Sequence, residues 1–548
     1  MYSLVMPKLT PNWLLIGLIS VTAVTSPNFT YEPFDNVKLF LLGATAAYAL
    51  AEFFTIRSDS FKVSKVAIIL PLFFLFALLI PVFFSSAPLT QQIYGAAGRS
   101  LGFLHYFFLL CIFLGVVFSP INLGPIAFIK VLIATGLFEG FYGLIQHLKL
   151  DPIEWDNSGS WIFGTFGNPN FLSAFLGLSA CASLFVNKLN LSKIWRYTGY
   201  LNLITSIFII YVSDSVQGLF LFGLGLFVLL QLFAIQYSKI AGFSFIFLTA
   251  VASGFVFFGL IKKGVLAPYL YQDSTTFRGD YWRAGFHMFK DNFLTGVGLD
   301  SYGDNYRYYR DSVAANRRGL DIYSTSAHNI YLDLASTGGV FLLLAFIGLN
   351  FFVFITGFST LKRINFRNIE LIVLMTLWIG FQAQLLISIN VSSVAIWGFV
   401  ISGLIVRESL KSGTDRASLN HRGKANRSKG LVNRGLYRLI LLSLFAAMVF
   451  PLLLRDIQLA SSISNSSKDQ LIAATTSWPQ SCFYLAKTEE ALSEVDDFVS
   501  SLAVSEKSVL LNSKCFDSWR HIYESPITSE ANKLDARKKM SELDPNLN

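Results

Sequence analysis

The sequence predicts an all-α polytopic membrane protein with about 13 transmembrane helices, one long extracytoplasmic loop and a small extracytoplasmic helical C-terminal region. Hydrophobic residues make up 53% of the 548 residues, and charged residues only 14%. The hydrophobic residues form runs that approach the roughly 20 positions a helix needs to cross a bilayer. Because these runs are continuous rather than alternating, they favour helices over the strands of a barrel.

Thirteen apolar runs are predicted to span the membrane, and together they define a transmembrane domain over residues 1–454. Their predicted bounds are 11–27, 37–54, 66–84, 101–118, 121–146, 170–187, 197–212, 216–236, 240–260, 327–356, 368–388, 393–406 and 437–454. The first run has no convincing small-residue cleavage site, so we expect a retained span rather than a removed signal peptide.

Short loops rich in lysine and arginine favour the cytoplasmic side of a membrane. Five such segments fall on one side if the N-terminus is cytoplasmic. Their basic residues are Arg57, Lys62 and Lys65; Lys188, Lys193 and Arg196; Lys239; Lys362, Arg363 and Arg367; and nine basic against two acidic residues from Arg407 to Arg438. The segment 407–436 is therefore a predicted basic cytoplasmic loop. The stretches predicted to lie outside the cytoplasm are 85–99, 147–169, 261–326 and the tail 455–548.

The net charge of +9 comes largely from the predicted cytoplasmic loops. We interpret it as a sign of topology and of contact with anionic membrane lipids. No base-reading motif accompanies the charge, so nucleic acid is not an expected partner.

Of the four cysteines, Cys111 and Cys181 lie in predicted spans. Cys482 and Cys515 lie in the external tail, where a disulfide is permitted, but their spacing leaves the bridged and the free state open.

Two short external loops carry candidate binding residues. Arg99 follows Gly95-Ala96-Ala97-Gly98, and such small residues let an anionic headgroup approach a helix N-terminus. Alternatively, Arg99 only extends to the membrane interface. Asn168 and Asn170 lie in a Gly-Asn-Pro-Asn turn, from which Asn170 is predicted to cap the next helix. The aromatic residues near this turn form either an interfacial belt or a wall for sugar rings.

The long loop begins with a predicted helix that starts near Ser274 and ends at Asp291-Asn292. Arg278 and Trp282 are four residues apart and share one helix face. An arginine beside an indole suits a phosphate joined to a sugar, because guanidinium binds phosphate bidentately. The alternative is an interfacial helix whose arginines reach lipid phosphates. The residues predicted to form the apolar face of this helix are Phe277, Tyr281, Ala284 and Met288.

His328 is predicted to lie in the first turn of the tenth span, with Ser324, Thr325 or Ser326 as the cap. The N-terminus of a helix disfavours the imidazolium form, which leaves a neutral histidine able to accept a proton. A structural interfacial histidine is the alternative. Asn329 and Asp333 follow on the same predicted helix.

The tail is more polar than the rest of the chain and is predicted to be a small helical docking module. Its helical patches are Glu489–Leu502 and Ala531–Leu543, and the second closes in Leu543-Asp544-Pro545-Asn546. This closing sequence is typical of a tetratricopeptide-type helical pair, although such repeats need several copies to form a stable array.

In combination, these motifs resemble the O-antigen ligase and O-antigen polymerase superfamily, which includes bacterial O-linked oligosaccharyltransferases. The resemblance covers about residues 90–405. Its motifs are Gly164-Thr165-Phe166-Gly167-Asn168-Pro169-Asn170, Arg278 with Trp282 and Asp291 to Gly298, and His328-Asn329 with Tyr331-Leu332 and Gly338-Gly339. It implies a type-C glycosyltransferase of the bacterial plasma membrane that uses no metal, cofactor or nucleotide sugar. The implied donor is a glycan carried on undecaprenyl diphosphate.

The resemblance also implies roles for single residues. His328 would activate the acceptor hydroxyl, and Arg278 would bind the diphosphate, with Arg99 as a second cation. Relatives often carry an arginine after the serine turn between the paired spans, whereas this chain has Gln217. An amide cannot neutralise a diphosphate, so the leaving group would depend on Arg278, Arg99 or a loop arginine such as Arg307. The other implied substrate-binding residues are Trp282, Asn168, Asn170, Asn329 and Gln217.

A transporter or flippase of lipid-linked glycans is the main alternative. Transporters place ionisable groups opposite one another within their spans, and here His105, Lys130, Glu139 and Glu370 are scattered. Within the enzyme class, a polymerase, a lipid-core ligase and an O-linked protein oligosaccharyltransferase differ in the acceptor, which is a glycan, a lipid or a protein. The sequence does not choose among these acceptors, and it leaves the sugar composition and the oligomeric state unknown.

Overall fold

A computed structural model describes residues 12–54, 65–118, 123–155, 162–215, 217–260, 263–265, 267, 273–319, 321–414 and 434–547. These residues form 22 helices and no strand, which confirms the predicted all-helical class. The helices are α1 (Trp13–Ala23), α2 (Asp35–Phe54), α3 (Val66–Phe84), α4 (Leu89–Tyr94), α5 (Phe103–Phe118), α6 (Pro125–His147), α7 (Pro169–Ser183), α8 (Lys193–Val212), α9 (Gln217–Tyr237), α10 (Lys239–Leu260), α11 (Asp273–Asp291), α12 (Tyr302–Tyr309), α13 (Ser312–Arg318), α14 (Ile330–Arg363), α15 (Ile369–Leu385), α16 (Ser392–Thr414), α17 (Arg434–Ser464), α18 (Lys468–Ala474), α19 (Cys482–Glu494), α20 (Phe498–Leu511), α21 (Phe516–Glu524) and α22 (Glu530–Leu543).

Each of the thirteen predicted spans coincides with one helix, namely α1 to α3, α5 to α10 and α14 to α17. Within the described residues, seven of these helices are long and apolar enough to cross a membrane: α2, α3, α6, α9, α14, α16 and α17. Helices α1, α5 and α15 are apolar but shorter, and within α10 the shorter apolar segment is Lys239–Phe255. The chain is therefore a polytopic membrane protein, and length and composition support seven of the thirteen predicted spans.

The core of the bundle is built around α2 and α5. Helix α2 packs against α1, α5 and α17, and α16 packs against α5 and α14. Helices α6 to α9 form a second group, in which α7 contacts α6, α8 and α9. Trp397 of α16 is fully buried, and its indole N–H donates to Thr22 Oγ1 at 2.8 Å. This bond satisfies the one polar atom of a large apolar side chain, as is usual for a buried tryptophan.

The predicted external loops meet at one end of the bundle, which we call the loop end. Phe34 stacks on Trp155 with ring centroids 5.0 Å apart. The backbone N–H of Glu32 donates to the Asp456 carboxylate at 3.0 Å, and Gln91 Nε2 donates to Asp304 at 3.0 Å. These contacts join the 24–34 turn, the 85–99 and 147–169 loops, the long loop and the tail. At the other end of α2, Arg438 Nε donates to Glu52 at 2.9 Å.

Helix α14 is interrupted at Gly339, where φ is +77° and ψ is −177°. Backbone bonds from the preceding loop fill the gap, with Val297 N–H donating to Ser336 O at 2.9 Å and Val340 N–H to Phe293 O at 2.9 Å. A Cβ on Gly339 would overlap the carbonyl oxygen of Leu294. Only glycine combines this backbone conformation with so close an approach. The residues 330–338 thus form a separate short segment at the loop end.

The tail folds into helices α18 to α22, with α19 packed on α20 and α21 on α22. Leu471, Leu485 and Leu492 are fully buried in a small core of its own. Cys482 and Cys515 form a disulfide with Cα atoms 5.7 Å apart. The helical nature of the tail is confirmed, whereas its relation to tetratricopeptide repeats stays a prediction.

The tail is fastened to the loop end by polar contacts. The guanidinium of Arg310 pairs with the Asp544 carboxylate, and both side chains are buried. Asn546 Nδ2 donates to the backbone oxygen of Arg310 at 3.1 Å, and Thr90 Oγ1 donates to Gln480 O at 2.8 Å. A buried ion pair with neighbouring hydrogen bonds fixes the orientation of the surfaces that it joins. The tail is therefore part of the same end of the molecule as the long loop.

Candidate active site

Helix α11 carries the candidate donor-binding residues, and its apolar face anchors it to the loop end. It ends at Asp291, as the sequence predicts. The predicted apolar face is confirmed, because Tyr281, Ala284 and Met288 are buried against Val297 and Tyr302. The hydroxyl of Tyr302 donates to the backbone oxygen of Tyr281 at 2.6 Å. This packing holds the opposite face of α11 toward the solvent.

His328 lies just before α14 and not within its first turn. The cap is Asn329, whose side-chain oxygen accepts from Tyr331 N–H at 3.0 Å and Leu332 N–H at 3.2 Å. The predicted serine or threonine cap was therefore wrong, because the asparagine one residue after the histidine fits the cap geometry. His328 has φ +50°, and its N–H donates to Ser326 Oγ at 3.3 Å.

The imidazole of His328 is partly exposed and stacks on the ring of Tyr281, with centroids 5.4 Å and planes 28° apart. A non-glycine residue in the left-handed region costs energy and persists where the surroundings require it. The turn at residues 324–328 is held by Asp333, whose Oδ1 accepts from Ala327 N–H at 2.7 Å. These contacts fix the imidazole beside α11.

Arg278 and Trp282 lie on the solvent side of α11. Trp282 is 39% exposed, and Arg278 is half-buried. Partial burial lowers the pKa of Arg278, and the neighbouring Tyr281 opposes that shift. The guanidinium stays charged, because arginine keeps its proton in proteins.

The other arginines of the long loop whose side chains are described pair with carboxylates. Arg283 contacts Asp280 at 2.6 Å and Asp311 at 2.9 Å. Arg317 contacts Asp280 at 2.5 Å. Arg307 and Arg310 both contact Asp544. Among the described side chains of this loop, Arg278 is thus the arginine without a carboxylate partner.

Arg99 is buried in an ion pair with Asp300, 3.3 Å between Nη2 and Oδ1. Its Nη1 donates to the backbone oxygen of Thr325, three residues before His328. Asp300 also accepts from Ala96 N–H at 2.7 Å and Leu101 N–H at 3.2 Å. Burial raises the pKa of Asp300, and the adjacent Arg99 charge opposes this shift. The pair joins the Arg99 loop to the turn that carries His328.

Sequence reasoning missed Asp300. The segment Gly296-Val297-Gly298-Leu299-Asp300 carries turn-forming glycines but no motif that singles out the aspartate. Asp300 adopts φ +53° there, which aspartate tolerates better than most residues. The only local signal was a polar residue directly after a glycine turn. This signal does not show that Asp300 pairs with Arg99.

The Gly164 to Asn170 motif is held in place by buried polar side chains. Gln146 Oε1 accepts from Phe163 N–H at 3.0 Å and from Gly164 N–H at 2.8 Å. The Thr165 hydroxyl donates to Glu139 at 2.6 Å. The backbone oxygen of Thr165 accepts from the Lys38 ammonium. The ionisable groups Lys38 and Glu139 are therefore used to fix this loop.

Asn168, and not Asn170, caps α7, since its side-chain oxygen accepts from Asn170 N–H at 2.8 Å. The predicted cap was wrong by two residues because both asparagines lie in the same turn and only Asn168 precedes the helix. Asn170 Oδ1 instead accepts from Ser215 Oγ at 2.9 Å. Gln217 is buried nearby at the start of α9, and its Oε1 has no hydrogen-bond partner among the described residues. These three amides form a polar group between α7 and α9.

Arg307 lies in the contact with the tail. Its guanidinium packs over the rings of Tyr323, at 5.1 Å, and Phe516, at 4.2 Å. Its Nη2 donates to Asp321 O at 3.1 Å. The structure thus stacks His328 on Tyr281 of α11, the helix that also carries Arg278 and Trp282. It connects Arg99 to the His328 turn through Thr325 and places Arg307 beside the tail.

A bundle of apolar helices, seven of which are long and apolar enough to cross a membrane within the described residues, defines a polytopic membrane protein. Residues 201–347 match the family model for O-antigen ligase. This match confirms the resemblance seen in the sequence: residues 201–347 form a domain of the O-antigen ligase family. The domain supports glycan transfer of the O-antigen ligase or polymerase type in general. No curated protein matches the chain.

The matched segment is shorter than the resemblance predicted from the motifs, which covered about residues 90–405. Six candidate site residues fall inside it, namely Gln217, Arg278, Trp282, Arg307, His328 and Asn329. Arg99, Asn168 and Asn170 lie before it, and the tail lies after it.

Proposed function

We propose that this protein transfers a glycan from an undecaprenyl-diphosphate carrier to an acceptor hydroxyl at the outer face of the bacterial plasma membrane. The observation that carries the proposal is the position of Tyr281. Its ring stacks on His328, and it lies one helical turn after Arg278. A proposed proton acceptor and a cation without a carboxylate partner among the described side chains thus share one neighbour.

In the proposed reaction, the acceptor oxygen attacks the anomeric carbon of the donor while His328 takes the hydroxyl proton. The bond between the anomeric carbon and the diphosphate oxygen breaks, and its electron pair leaves with the lipid diphosphate. Arg278 stabilises the negative charge that develops on this leaving group. General-base catalysis of this kind typically contributes about 10²–10⁴-fold, and fixed charges in a partly dry site add to it. A single displacement inverts the anomeric carbon.

The remaining residues have supporting roles in this proposal. Trp282 offers an exposed indole face to the donor sugar, one turn from Arg278. Arg99 is compensated by Asp300, so we assign it to positioning the His328 turn rather than to direct neutralisation of the diphosphate. The proposed donor-binding amides are Asn168, Asn170, Asn329 and Gln217. Arg307 would act on the acceptor side, where it meets the tail.

The proposed orientation places the N-terminus and the 407–436 loop in the cytoplasm and the loop end outside. It is supported by the distribution of basic residues, since positively charged loops are retained inside. The grouping of the 85–99 and 147–169 loops with the tail at one end also supports it.

The test is glycan transfer in membranes from cells that lack the endogenous activity. We expect His328→Ala and Arg278→Ala to reduce transfer by at least about 100-fold at equal expression. The matched controls are His287→Ala, an exposed histidine on α11, and Arg283→Ala, an α11 arginine whose loss leaves Asp280 paired with Arg317. Both controls should keep near wild-type transfer.

The labelled product identifies the acceptor as a sugar chain, a lipid core or a protein. Full transfer by both His328→Ala and Arg278→Ala would refute the assigned chemistry. Binding of the lipid-linked glycan without transfer, equally by the wild type and by His328→Ala, would instead favour a transporter or flippase. Retention at the anomeric carbon would refute the single displacement.

A further inference from the structure

A cleft of about 830 Å³ separates the long loop from the tail. Gln91, Asp304 and Tyr323 line one wall, and Phe483, Glu489 and Phe516 line the other. Asp300 and Thr325, the two groups bound to Arg99, also line it. The cleft therefore reaches the turn that leads to His328. Its tail wall lies outside the segment that matches the O-antigen ligase family.

The polar groups of the loop wall are fixed in place. The Asp304 carboxylate accepts from Gln91 Nε2 at 3.0 Å and from Asn512 Nδ2 at 3.1 Å. Lys514 Nζ donates to Asn305 Oδ1 at 2.7 Å. On the tail wall, Glu489 accepts from Ser505 Oγ at 2.7 Å. A carboxylate has about four lone-pair positions, so Asp304 keeps further capacity to accept hydroxyl donors.

Three aromatic side chains line the cleft beside these polar groups. Tyr323 is 44% exposed, and Phe516 is buried under the guanidinium of Arg307. Phe483 is partly exposed on the first turn of α19. A sugar ring has an apolar face and a rim of hydroxyls, so it needs flat aromatic surface on one side and hydrogen-bond acceptors on the other. Pockets that combine apolar walls with a few fixed polar groups are typical ligand sites.

The charge of the lining argues against an anionic ligand. Seven carboxylates and four lysine or arginine side chains line the cleft. A lipid diphosphate placed here would meet more negative than positive charge, and like charges at short range are repulsive.

We infer that the cleft binds an uncharged saccharide, the non-lipid part of the acceptor, and directs its terminal hydroxyl toward His328. The inference rests on the proposed function, because it names the acceptor side of the same site. It separates the two substrates in space: the charged donor carrier binds beside Arg278, and the neutral acceptor chain lies between the loop and the tail.

The test uses the purified full-length protein in detergent and a defined probe, neutral oligosaccharides released by partial hydrolysis of the surface polysaccharide of the source cells. Binding is measured by isothermal titration calorimetry. Tyr323→Ala should weaken binding roughly tenfold, the effect of losing one aromatic contact. The matched control is Tyr308→Ala, which removes a 54% exposed tyrosine of the same loop that does not line the cleft. It should bind like the wild type.

Glu490→Gln provides a second variant, since this carboxylate lines the cleft and is 59% exposed, so its loss should not disturb folding. We expect several-fold weaker binding. Transfer assays should show a raised KM for the acceptor with kcat nearly unchanged for both cleft variants. An absence of saturable binding by the wild type, or equal binding by Tyr323→Ala and the wild type, would overturn the inference.

His328→Ala separates the two proposals. It should bind the oligosaccharide normally and fail to transfer. If His328→Ala transfers normally, the proposed function fails, whatever the cleft binds. If His328→Ala is inactive while Tyr323→Ala and Glu490→Gln keep the wild-type KM, only the cleft proposal fails. Glycan found solely on protein, with no oligosaccharide binding, would also overturn it in favour of a protein acceptor.

Discussion

The ring of Tyr281 lies 5.4 Å from the imidazole of His328 and is tilted by 28° from it. This contact joins α11, which carries Arg278, to the turn before α14. We predict that Tyr281→Phe retains transfer within about threefold, because the ring is preserved, whereas Tyr281→Ala loses at least about tenfold. Transfer in membranes at equal expression measures both. Equal losses in the two variants would show that the hydroxyl, not the ring, positions the imidazole.

The ion pair between Arg99 and Asp300 should contribute measurably to stability. Breaking a buried pair leaves an uncompensated charge and typically costs about 3–5 kcal/mol. Asp300→Asn should therefore lower the melting temperature in detergent. The double variant Arg99→Gln/Asp300→Asn should lose less free energy of unfolding than the two single variants lose together. Each single change leaves the other group buried without its partner. Additive losses would contradict this coupling.

The tail should be more stable at pH 5 than at pH 8. Burial raises the pKa of Glu489 from its ordinary value of 4.5 to about 7. The folded tail then binds a proton more tightly than the unfolded chain does. The stabilising contribution is fully present below about pH 4.5 and is lost as the pH rises through 7. Thermal unfolding across this range measures the effect.

Glu489→Gln should reduce this pH dependence, and Glu490→Gln, an exposed neighbour, should not. Some dependence will remain, because burial also raises the pKa of Asp304 to about 6. A melting temperature that rises steadily from pH 5 to pH 8 in the wild type would contradict the assignment.

The disulfide between Cys482 and Cys515 should stabilise the tail. It closes a loop with a sequence separation of 33 residues, and removing such a bridge typically costs about 2–5 kcal/mol. Reduction should lower the melting temperature. Labelling of the denatured protein with a maleimide should modify two thiols, Cys111 and Cys181, before reduction and all four cysteines afterwards. Four labelled thiols without reduction would refute the bridge.

The helices could be predicted from the sequence because a membrane span is a local property. Long apolar runs specify α2, α3 and α14 without information about their neighbours. The apolar face of α11 was likewise visible in the spacing of Tyr281, Ala284 and Met288. Helix starts were less certain. Asn168 competes with Asn170, and Asn329 with the serines before it, so several residues in one turn offer the same capping chemistry.

The site itself could be predicted only in part. Arg278 and His328 were proposed because each belongs to a local motif, and their roles stay predictions. The partner of Arg99 could not be found, since Asp300 lies far away in the sequence and follows an ordinary glycine turn. The cleft depends on the packing of the tail against the long loop. Such contacts between distant segments leave no periodic signal in a single sequence.

The break at Gly339 has a consequence for the order of events during biosynthesis. Backbone hydrogen bonds join residues 336–340 to residues 293–298. Residues 293–298 leave the ribosome earlier, so these bonds cannot form until α14 follows. We expect the long loop to remain only partly folded until the tenth predicted span is inserted. His328 then acquires its final surroundings only when that insertion is complete.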